Sequence, residues 1–281
     1  MKLRILTLSN LTRYVIGFVT ILVAFYLASD NKNLLSDMKI DERVPFTYQN
    51  GCHLQADESD LKTCLGGLSK QNEENLLYLV GDSHAAQWAP ALQITSKSSK
   101  VKVRYITKSG CPYVHLELNL SCELWIDEVT REIVRESPSL VILSNMTNAK
   151  YFNFLNEDHY VKTWLTSFDL LMKKIASHTR IVILEDTPYS FFDSKICIVE
   201  SGVSKCDLKL RESNLTQKLK VYSESIGVDY LSFKQVLCKN NLCKGGDYKM
   251  NYYRDRHHLS VSFSQKFSIR FNDYIKSLTS L

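Results

Sequence analysis

The chain has 281 residues, of which 44% are hydrophobic and 23% are charged, and its formal net charge is +5. This length and apolar content suffice for one packed domain with short appendages and argue against two equal domains. No long basic segment alternates with aromatic residues, so we expect no nucleic-acid partner.

The N-terminal segment predicts a membrane anchor. Residues 14–28, YVIGFVTILVAFYLA, contain no charged side chain and follow Lys2, Arg4 and Arg13. A spanning helix needs about 20 apolar residues, so this one would extend into its uncharged flanks. A cleavable signal peptide is the alternative, but cleavage after Ala28 would place a tyrosine where a small residue is required.

The positive-inside rule orients this anchor. Basic residues before the span keep the N-terminus in the cytoplasm, so the chain after Asp30 would lie in the periplasm or outside the cell. We therefore expect a single-pass membrane protein with a cytoplasmic stub and anchor at 1–29. The polar, weakly patterned residues 30–51 are predicted to form a tether, and residues 52–281 to form the catalytic domain.

The number and position of the cysteines are typical of a protein in an oxidising compartment. There are eight, an even number, and all follow the anchor. Such usage predicts four disulfides, although eight cysteines allow 105 pairings. Pairing of close sequence neighbours predicts the bonds Cys52–Cys64, Cys111–Cys122, Cys197–Cys206 and Cys238–Cys243. No Cys-x-x-Cys pair is present, and we expect no metal and no cofactor.

Short apolar runs alternate with helical stretches after the first cysteines. The runs are rich in Val and Ile and lack a helical period, which is typical of buried parallel strands. The predicted strands are Leu76–Val80, Val101–Ile106, Leu140–Ser144, Ile181–Leu184 and Val228–Leu231. The predicted helices are Ala85–Ser96, Glu123–Glu136, Tyr160–Ser177, Asp207–Ser225 and Val261–Leu278. This alternation predicts an α/β fold, a three-layer α/β/α sandwich with a mostly parallel five-stranded sheet.

A candidate nucleophile lies where the first of these strands ends. In LVGDSHAAQWAPAL, residues 79–92, Gly81 ends the strand and Ser83 falls in the first turn of the next helix. A helix N-terminus offers unpaired N–H groups and partial positive charge, which would stabilise an oxyanion. Open α/β sheets also bind ligands at the carboxyl ends of their strands. The lipase-type Gly-x-Ser-x-Gly elbow is excluded because Ala85 replaces its last glycine. The alternative is that Ser83 only caps a helix.

A candidate base lies near the C-terminus, in the segment DRHHLS that begins at Asp255. An acid three residues before a histidine can orient the imidazole, which can then accept the proton of a serine. His258 has this spacing and is our candidate base, with His257 as the alternative. These histidines, with His84 and nearby acids, could also form a metal site, but their spacing matches no zinc motif.

With these motifs the chain resembles the SGNH, or GDSL-like, hydrolase family. It is most similar to the extracytoplasmic SGNH domain associated with acyltransferase-three membrane proteins, which O-acetylate bacterial surface polysaccharides. The resemblance runs from about Cys52 to the C-terminus. The matching segments are GDSHAAQWAPAL (81–92), KSGCP (108–112), EDTPY (185–189) and YYRDRHHLS (252–260).

The resemblance implies a role for individual residues. Ser83 would be the nucleophile, His258 the general base and then acid, and Asp255 the residue that orients His258. The oxyanion donors would be the amides of Ser83 and Gly110. The third donor of the family, in a Gly-x-Asn-Asp motif, has no exact counterpart, because residues 144–148 read SNMTN. Asn145 is the candidate there, with a turn residue as the alternative.

Beside the histidine segment, Tyr252 and Tyr253 are predicted to stack on a carbohydrate ring of the substrate. The function implied by the resemblance is serine O-acyl transfer to a cell-surface polysaccharide through an acyl-Ser83 intermediate. Because the chain lacks the multi-helix membrane domain of the fused proteins, we expect a separate membrane protein as acyl donor. The alternatives are a carbohydrate O-acetyl esterase with the same residues, and a non-catalytic glycan-binding domain.

Overall fold

The computed structural model describes residues 15–23, 39–67, 76–189, 192–210 and 213–279. The predicted stub and parts of the predicted anchor therefore lie outside the described residues. Residues 15–23 form a helix, α1. Within the described ranges, no helix combines the length and the apolar character that crossing a membrane requires.

A mostly parallel sheet forms the centre of the domain. The described strands are β1 (His53–Leu54), β2 (Cys64–Gly66), β3 (Leu76–Gly81), β4 (Lys102–Lys108), β5 (Leu140–Ser144), β6 (Arg180–Leu184), β7 (Leu208–Lys209), β8 (Asp229–Leu231), β9 (Cys238–Lys239) and β10 (Leu242–Cys243). The main sheet has seven strands in the order β1-β4-β3-β5-β6-β8, with β2 added antiparallel to β4. The order places the end of β3 between the ends of β4 and β5.

The prediction of a parallel sheet is confirmed, but the count of five strands is wrong. The five predicted runs correspond to β3, β4, β5, β6 and β8. The two extra strands, β1 and β2, come from the segment closed by the Cys52–Cys64 disulfide. They have two and three residues, and such short segments show no period that a sequence pattern could reveal.

Helices cover both faces of the sheet. They are α2 (Phe46–Gln49), α3 (Ser83–Ala86), α4 (Ala89–Ser98), α5 (Leu120–Glu136), α6 (Glu157–Ile175), α7 (Ser194–Ser201), α8 (Asn214–Ser225), α9 (Lys234–Leu237), α10 (Val261–Gln265) and α11 (Ser268–Thr279). Because side chains alternate along a strand, β3 serves two cores. Tyr78 and Val80 pack in the core that contains Trp125 of α5, whereas Leu77 and Leu79 pack in the core that contains Trp88.

Three predicted helices need correction. The last, predicted at Val261–Leu278, is divided into α10 and α11. The first is divided into α3 and α4, because Pro90 in the first turn of α4 lacks an N–H group to continue the preceding helix. The helix predicted at Asp207–Ser225 begins only at Asn214, where Ser213 caps it by accepting a hydrogen bond from the amide of Thr216 at 3.1 Å. Residues Leu208–Lys209 pair instead with β10 in a small three-stranded sheet.

The predicted tether at 30–51 is also corrected, because residues from Lys39 onward pack on the domain. The amide of Asp41 donates to Asn251 Oδ1 at 2.7 Å. The side-chain Oδ2 of Asp41 accepts from the amide of Ser262 at 2.7 Å. Phe46 meets Tyr105 edge to face at 5.1 Å between ring centroids. The folded unit therefore starts before the first cysteine.

The four predicted disulfides are present: Cys52–Cys64, Cys111–Cys122, Cys197–Cys206 and Cys238–Cys243. Each closes a short loop, with sequence separations between 5 and 12 residues. The Cys238–Cys243 bond joins β9 to β10 in the small sheet. Each bond therefore fixes a local loop of the domain.

Candidate active site

The corner between β3 and α3 places Ser83 at the carboxyl edge of the sheet. Gly81 has a φ of +145°, and a Cβ there would lie 1.8 Å from the carbonyl oxygen of Ser144. Only glycine fits this turn. The helix cap is Asp82, whose Oδ1 accepts from the amide of His84 at 2.8 Å while Oδ2 accepts from the amide of Met146 at 2.9 Å. The alternative in which Ser83 is only the cap therefore fails.

The histidine segment forms a closed loop before α10. Tyr253 and Leu259 pair across its base in an antiparallel bridge. Within the loop, the amide of Arg254 donates to the carbonyl oxygen of His258 at 3.0 Å. The hydroxyl of Ser260 caps α10. The loop is thus fixed at both ends, and its imidazoles have defined positions.

The structure brings the three candidate catalytic residues together. The hydroxyl of Ser83 donates to Nε2 of His258 at 2.8 Å across a sequence separation of 175 residues. Nδ1 of His258 donates to Oδ2 of Asp255 at 2.8 Å. The other oxygen of Asp255 accepts from the amides of His257 and His258 at 2.9 and 2.8 Å. This chain of hydrogen bonds has the order expected of a nucleophile, a base and an orienting acid.

The electrostatics of these residues favour a neutral base beside an ionised acid. Burial lowers the pKa of His258 to about 4, against the opposing hydrogen bond to Asp255. Burial alone would raise the pKa of Asp255, but the hydrogen bond and charge of His258 and two backbone amides hold it far below its usual value. At neutral pH the imidazole is therefore free to accept a proton.

A second acid–histidine pair lies next to the first, and sequence analysis did not identify it. His84 is fully buried, and its Nδ1 donates to Oδ1 of Asp186 at 2.5 Å. Its Nε2 lies 2.9 Å from Nδ1 of His257. His84 follows the serine directly and Asp186 belongs to the EDTPY segment after β6. The position of both residues at strand ends was the one available signal.

Gln87 was also missed, and it connects the two loops that carry the acids. Its Oε1 accepts from the amide of Leu259 at 2.8 Å, and its Nε2 donates to the hydroxyl of Thr187 at 3.2 Å. Its carbonyl oxygen accepts from the hydroxyl of Ser264 at 2.6 Å. The side chain is only 1% exposed, so these bonds form away from competing water.

The candidate oxyanion donors lie in three loops at the same edge of the sheet. Gly110, with a φ of +61°, follows β4, and Asn145 follows β5. Among the described residues, the amides of Ser83 and Gly110 have no acceptor, as an oxyanion site requires. Oδ1 of Asn145 accepts from the amide of Tyr113 at 2.8 Å, which fixes the orientation of its side-chain amide.

One of the two predicted carbohydrate-stacking tyrosines is not placed for that role. Tyr253 is fully buried, so its ring cannot meet a sugar, and this prediction is wrong. The ring of Tyr252 stacks on Phe263 at 3.7 Å, and its hydroxyl donates to Asp247 Oδ2 at 3.3 Å. One face of Tyr252 is therefore already covered. Tyr252 is half-buried, so its stacking on a sugar ring stays a prediction.

Three imidazoles at the site are close enough to share a metal ion. One ring nitrogen each from His84, His257 and His258 lies within 4.8 Å of the others. In this arrangement the rings hydrogen-bond to one another, to the two acids and to Ser83. These bonds account for the cluster as a network of donors and acceptors.

Polar recesses lie beside Asp186. The nearer one is lined by Asp186 and Thr187 of the β6 loop and by Ser213 and Thr216 at the start of α8. It shares Thr216 with a groove of about 770 Å³ that runs along α8. The groove is lined by Glu185, Gln217, Lys220, Glu224, Tyr230 and Lys234, among others. Its charged and amide side chains suit a polar ligand better than a long acyl chain.

Comparison with known proteins places the chain among its relatives. Residues 51–272 match the family described as the SGNH domain fused to AT3 domains. The periplasmic domain of lipopolysaccharide acetyltransferase from Salmonella ser. Paratyphi A is similar over 90% of this chain and 95% of that chain, with a TM-score of 0.58 and 18% identity. A GDSL-like lipase from Bacteroides thetaiotaomicron VPI-5482 is similar over 76% and 93%, with a TM-score of 0.47 and 14% identity.

A search of curated proteins gave no match. The likeness to the Salmonella domain shows a shared fold. The family match covers most of the chain and includes the serine corner and the histidine loop. On this match, the chain belongs to the family of SGNH domains fused to AT3 domains.

Proposed function

We propose that this domain is an extracytoplasmic serine acyltransferase that O-acetylates a cell-surface polysaccharide. The observation that carries the proposal is the hydrogen-bonded chain from Ser83 through His258 to Asp255. The name of the similar Salmonella domain, a lipopolysaccharide acetyltransferase, supports acetyl transfer to a glycan. Acetyl transfer to a sugar hydroxyl also agrees with the polar groove along α8.

The first step forms the acyl-enzyme. The oxygen of Ser83 adds to the carbonyl carbon of the acyl donor while its proton passes to Nε2 of His258. Asp255 holds Nδ1 and stabilises the imidazolium. The amides of Ser83 and Gly110, with the side-chain amide of Asn145, hold the oxyanion. The intermediate collapses when the leaving group departs with the proton from His258.

The second step transfers the acyl group. A sugar hydroxyl gives its proton to His258 and attacks the carbonyl carbon of acyl-Ser83. Collapse breaks the ester bond to Ser83, which regains a proton from His258. Water in place of the sugar gives hydrolysis, so the same residues support a carbohydrate O-acetyl esterase. The acceptor that reaches the site therefore decides between the two activities.

The acyl group is proposed to come from a membrane domain of the acyltransferase-three type, the domain to which members of this family are fused. Four disulfides support a location outside the cytoplasm. We also propose the division into an anchor at 1–29 and a catalytic domain. That domain would begin at about Lys39, where the chain first packs on it.

Labelling of the serine and assay of the reaction test this proposal. We expect a fluorophosphonate probe to label the protein and the Ser225→Ala variant, which loses an exposed serine, but not Ser83→Ala. With an activated acetyl ester and the native polysaccharide, the protein should form acetylated glycan. Hydrolysis without transfer, in the presence of the membrane domain, would identify an esterase. Absence of labelling would identify a non-catalytic domain.

A further inference from the structure

The proposed mechanism does not use the pair formed by Asp186 and His84. This pair is more deeply buried than the pair formed by Asp255 and His258. The side chains of His84 and Asp186 are 0% and 4% exposed. Burying two ionisable groups is unfavourable unless they are paired and hydrogen-bonded. The surroundings of each group determine its protonation.

Hydrogen-bond donors surround the carboxyl group of Asp186. Oδ1 accepts from Nδ1 of His84 at 2.5 Å and from the amide of Thr187 at 2.8 Å. Oδ2 accepts from the amide of Thr147 at 2.9 Å and from its hydroxyl at 3.1 Å. An ionised carboxylate accepts four such bonds, whereas a protonated one would face a donor with a donor. Asp186 is therefore ionised, and Nδ1 of His84 carries a proton.

Other charges around His84 favour a second proton. Burial alone would lower its pKa, but the charge and hydrogen bond of Asp186, together with Asp82 and Asp255, raise it. Nε2 of His84 lies 2.9 Å from Nδ1 of His257, so a proton on Nε2 would be donated to that nitrogen. Burial lowers the pKa of His257 to about 3, and the charge of His84 acts in the same direction. His257 is then neutral and acts as an acceptor at Nδ1.

This network ends at the proposed base. The rings of His257 and His258 lie 4.0 Å apart, and those of His84 and His258 lie 5.1 Å apart, between centroids. A cation at His84 opposes protonation of His258. Arg254 acts in the same direction, and Asp255 acts against both. His53 also lies near His258, but burial lowers its pKa to about 3 and keeps it neutral.

We propose that the buried Asp186–His84 ion pair is a positioning device for acyl transfer, which holds His257 against His258 and disfavours the protonated form of the base. Among the described residues, no hydrogen bond joins the side chain of Asp186 or His84 to Ser83 or to the oxyanion donors, so the two side chains act through the two histidines of the loop. The imidazolium that forms on His258 during the reaction would then be a stronger acid toward the leaving oxygen. The kinetic part of this proposal rests on the proposed function.

Nitrogen NMR of the histidines tests the ion pair without any catalysis. In the Ser83→Ala protein at pH 7, we expect His84 to be protonated at both ring nitrogens and His257 at Nε2 only. Assignment by His84→Gln and His257→Gln identifies the signals. A neutral His84 would overturn the proposal, whether or not the protein is an enzyme. Since the pair is intact in this protein, the measurement does not depend on how variants of the pair fold.

The pH profile tests the effect on the base. Asp186→Asn keeps the shape of the side chain but removes its charge, so His84 should lose a proton and His258 should be easier to protonate. We expect the acid limb of the profile of kcat/KM to move up by about one pH unit, with kcat lowered and KM unchanged. Asp186→Glu should restore the position of the limb.

The matched control is Asp127→Asn, which removes an acid 3.5 Å from His115 in a pair on the surface, and its profile should equal that of the wild type. A profile of Asp186→Asn that superimposes on the wild type would overturn the positioning role and leave the role of Ser83 intact. If fluorophosphonate never labels Ser83, the proposed function fails, and the NMR result still decides on the ion pair.

Discussion

The two acid–histidine pairs at this site use the same chemistry in opposite surroundings. The side chain of Asp255 is 40% exposed and reaches His258 within a single loop. Asp186 is 4% exposed and reaches His84 across a separation of 102 residues. The first pair is hydrogen-bonded to Ser83 and its acid is half-exposed, whereas both side chains of the second pair are buried. Breaking the first should therefore affect activity most, and breaking the second should affect stability most.

The largest effect is expected from Asp255→Asn. Loss of the charge leaves His258 without its orienting acceptor and favours the wrong tautomer. We expect kcat to fall by about 10⁴-fold, with a smaller loss of unfolding free energy than in the buried pair because Asp255 is half-exposed. Steady-state kinetics and urea denaturation measure the two quantities. A fall in kcat of less than tenfold would show that Asp255 is not the orienting acid.

Substitution in the buried pair should lower stability more than activity. His84→Gln leaves the charge of Asp186 buried without its cation, and we expect a loss of about 3–5 kcal/mol of unfolding free energy. Urea denaturation measures it, with His115→Gln as the surface control. Unchanged stability would contradict a buried ion pair.

Gln87→Ala should have a smaller effect that extends to both pairs. The substitution leaves the amide of Leu259 and the hydroxyl of Thr187 without their buried partner. We expect a loss of about 2 kcal/mol of unfolding free energy and faster hydrogen exchange in the histidine loop. Hydrogen exchange followed by mass spectrometry checks this. Protection that changes in neither loop would show that Gln87 does not couple them.

The smallest expected effect is a difference between the two pairs in how stability depends on pH. His258 has its pKa lowered to about 4 in the folded protein, so the unfolded chain takes up its proton first as the pH falls below about 6.5. The contribution of neutral His258 to the free energy of unfolding is therefore complete above about pH 6.5 and decreases as the pH falls toward 4. His84, whose pKa is raised, has the opposite sign. Thermal melts of His258→Gln should show a shallower decline with acid than the wild type.

Sequence patterns predicted the pair that is local and missed the pair that is not. Asp255 and His258 stand three residues apart, and the strand-end position of Ser83 brings it to the same edge. The strand-end positions of His84 and Asp186 do not by themselves show that the two residues meet, because their contact depends on the order of strands β3, β5 and β6 in the sheet. The burial of Tyr253 could not be predicted for the same reason, since the direction of its side chain depends on how the loop closes.

The contact between Asp41 and the histidine loop has a mechanical consequence. Asn251 accepts from the amide of Asp41 and donates to its carbonyl oxygen at 3.0 Å and to that of Tyr253 at 2.8 Å. The incoming polypeptide is therefore clamped directly onto the segment that supplies the base. Any tension transmitted along residues 39–43 would displace the loop that carries the imidazole of His258. A protein trimmed at Cys52 would keep every proposed reacting group and lose that brace.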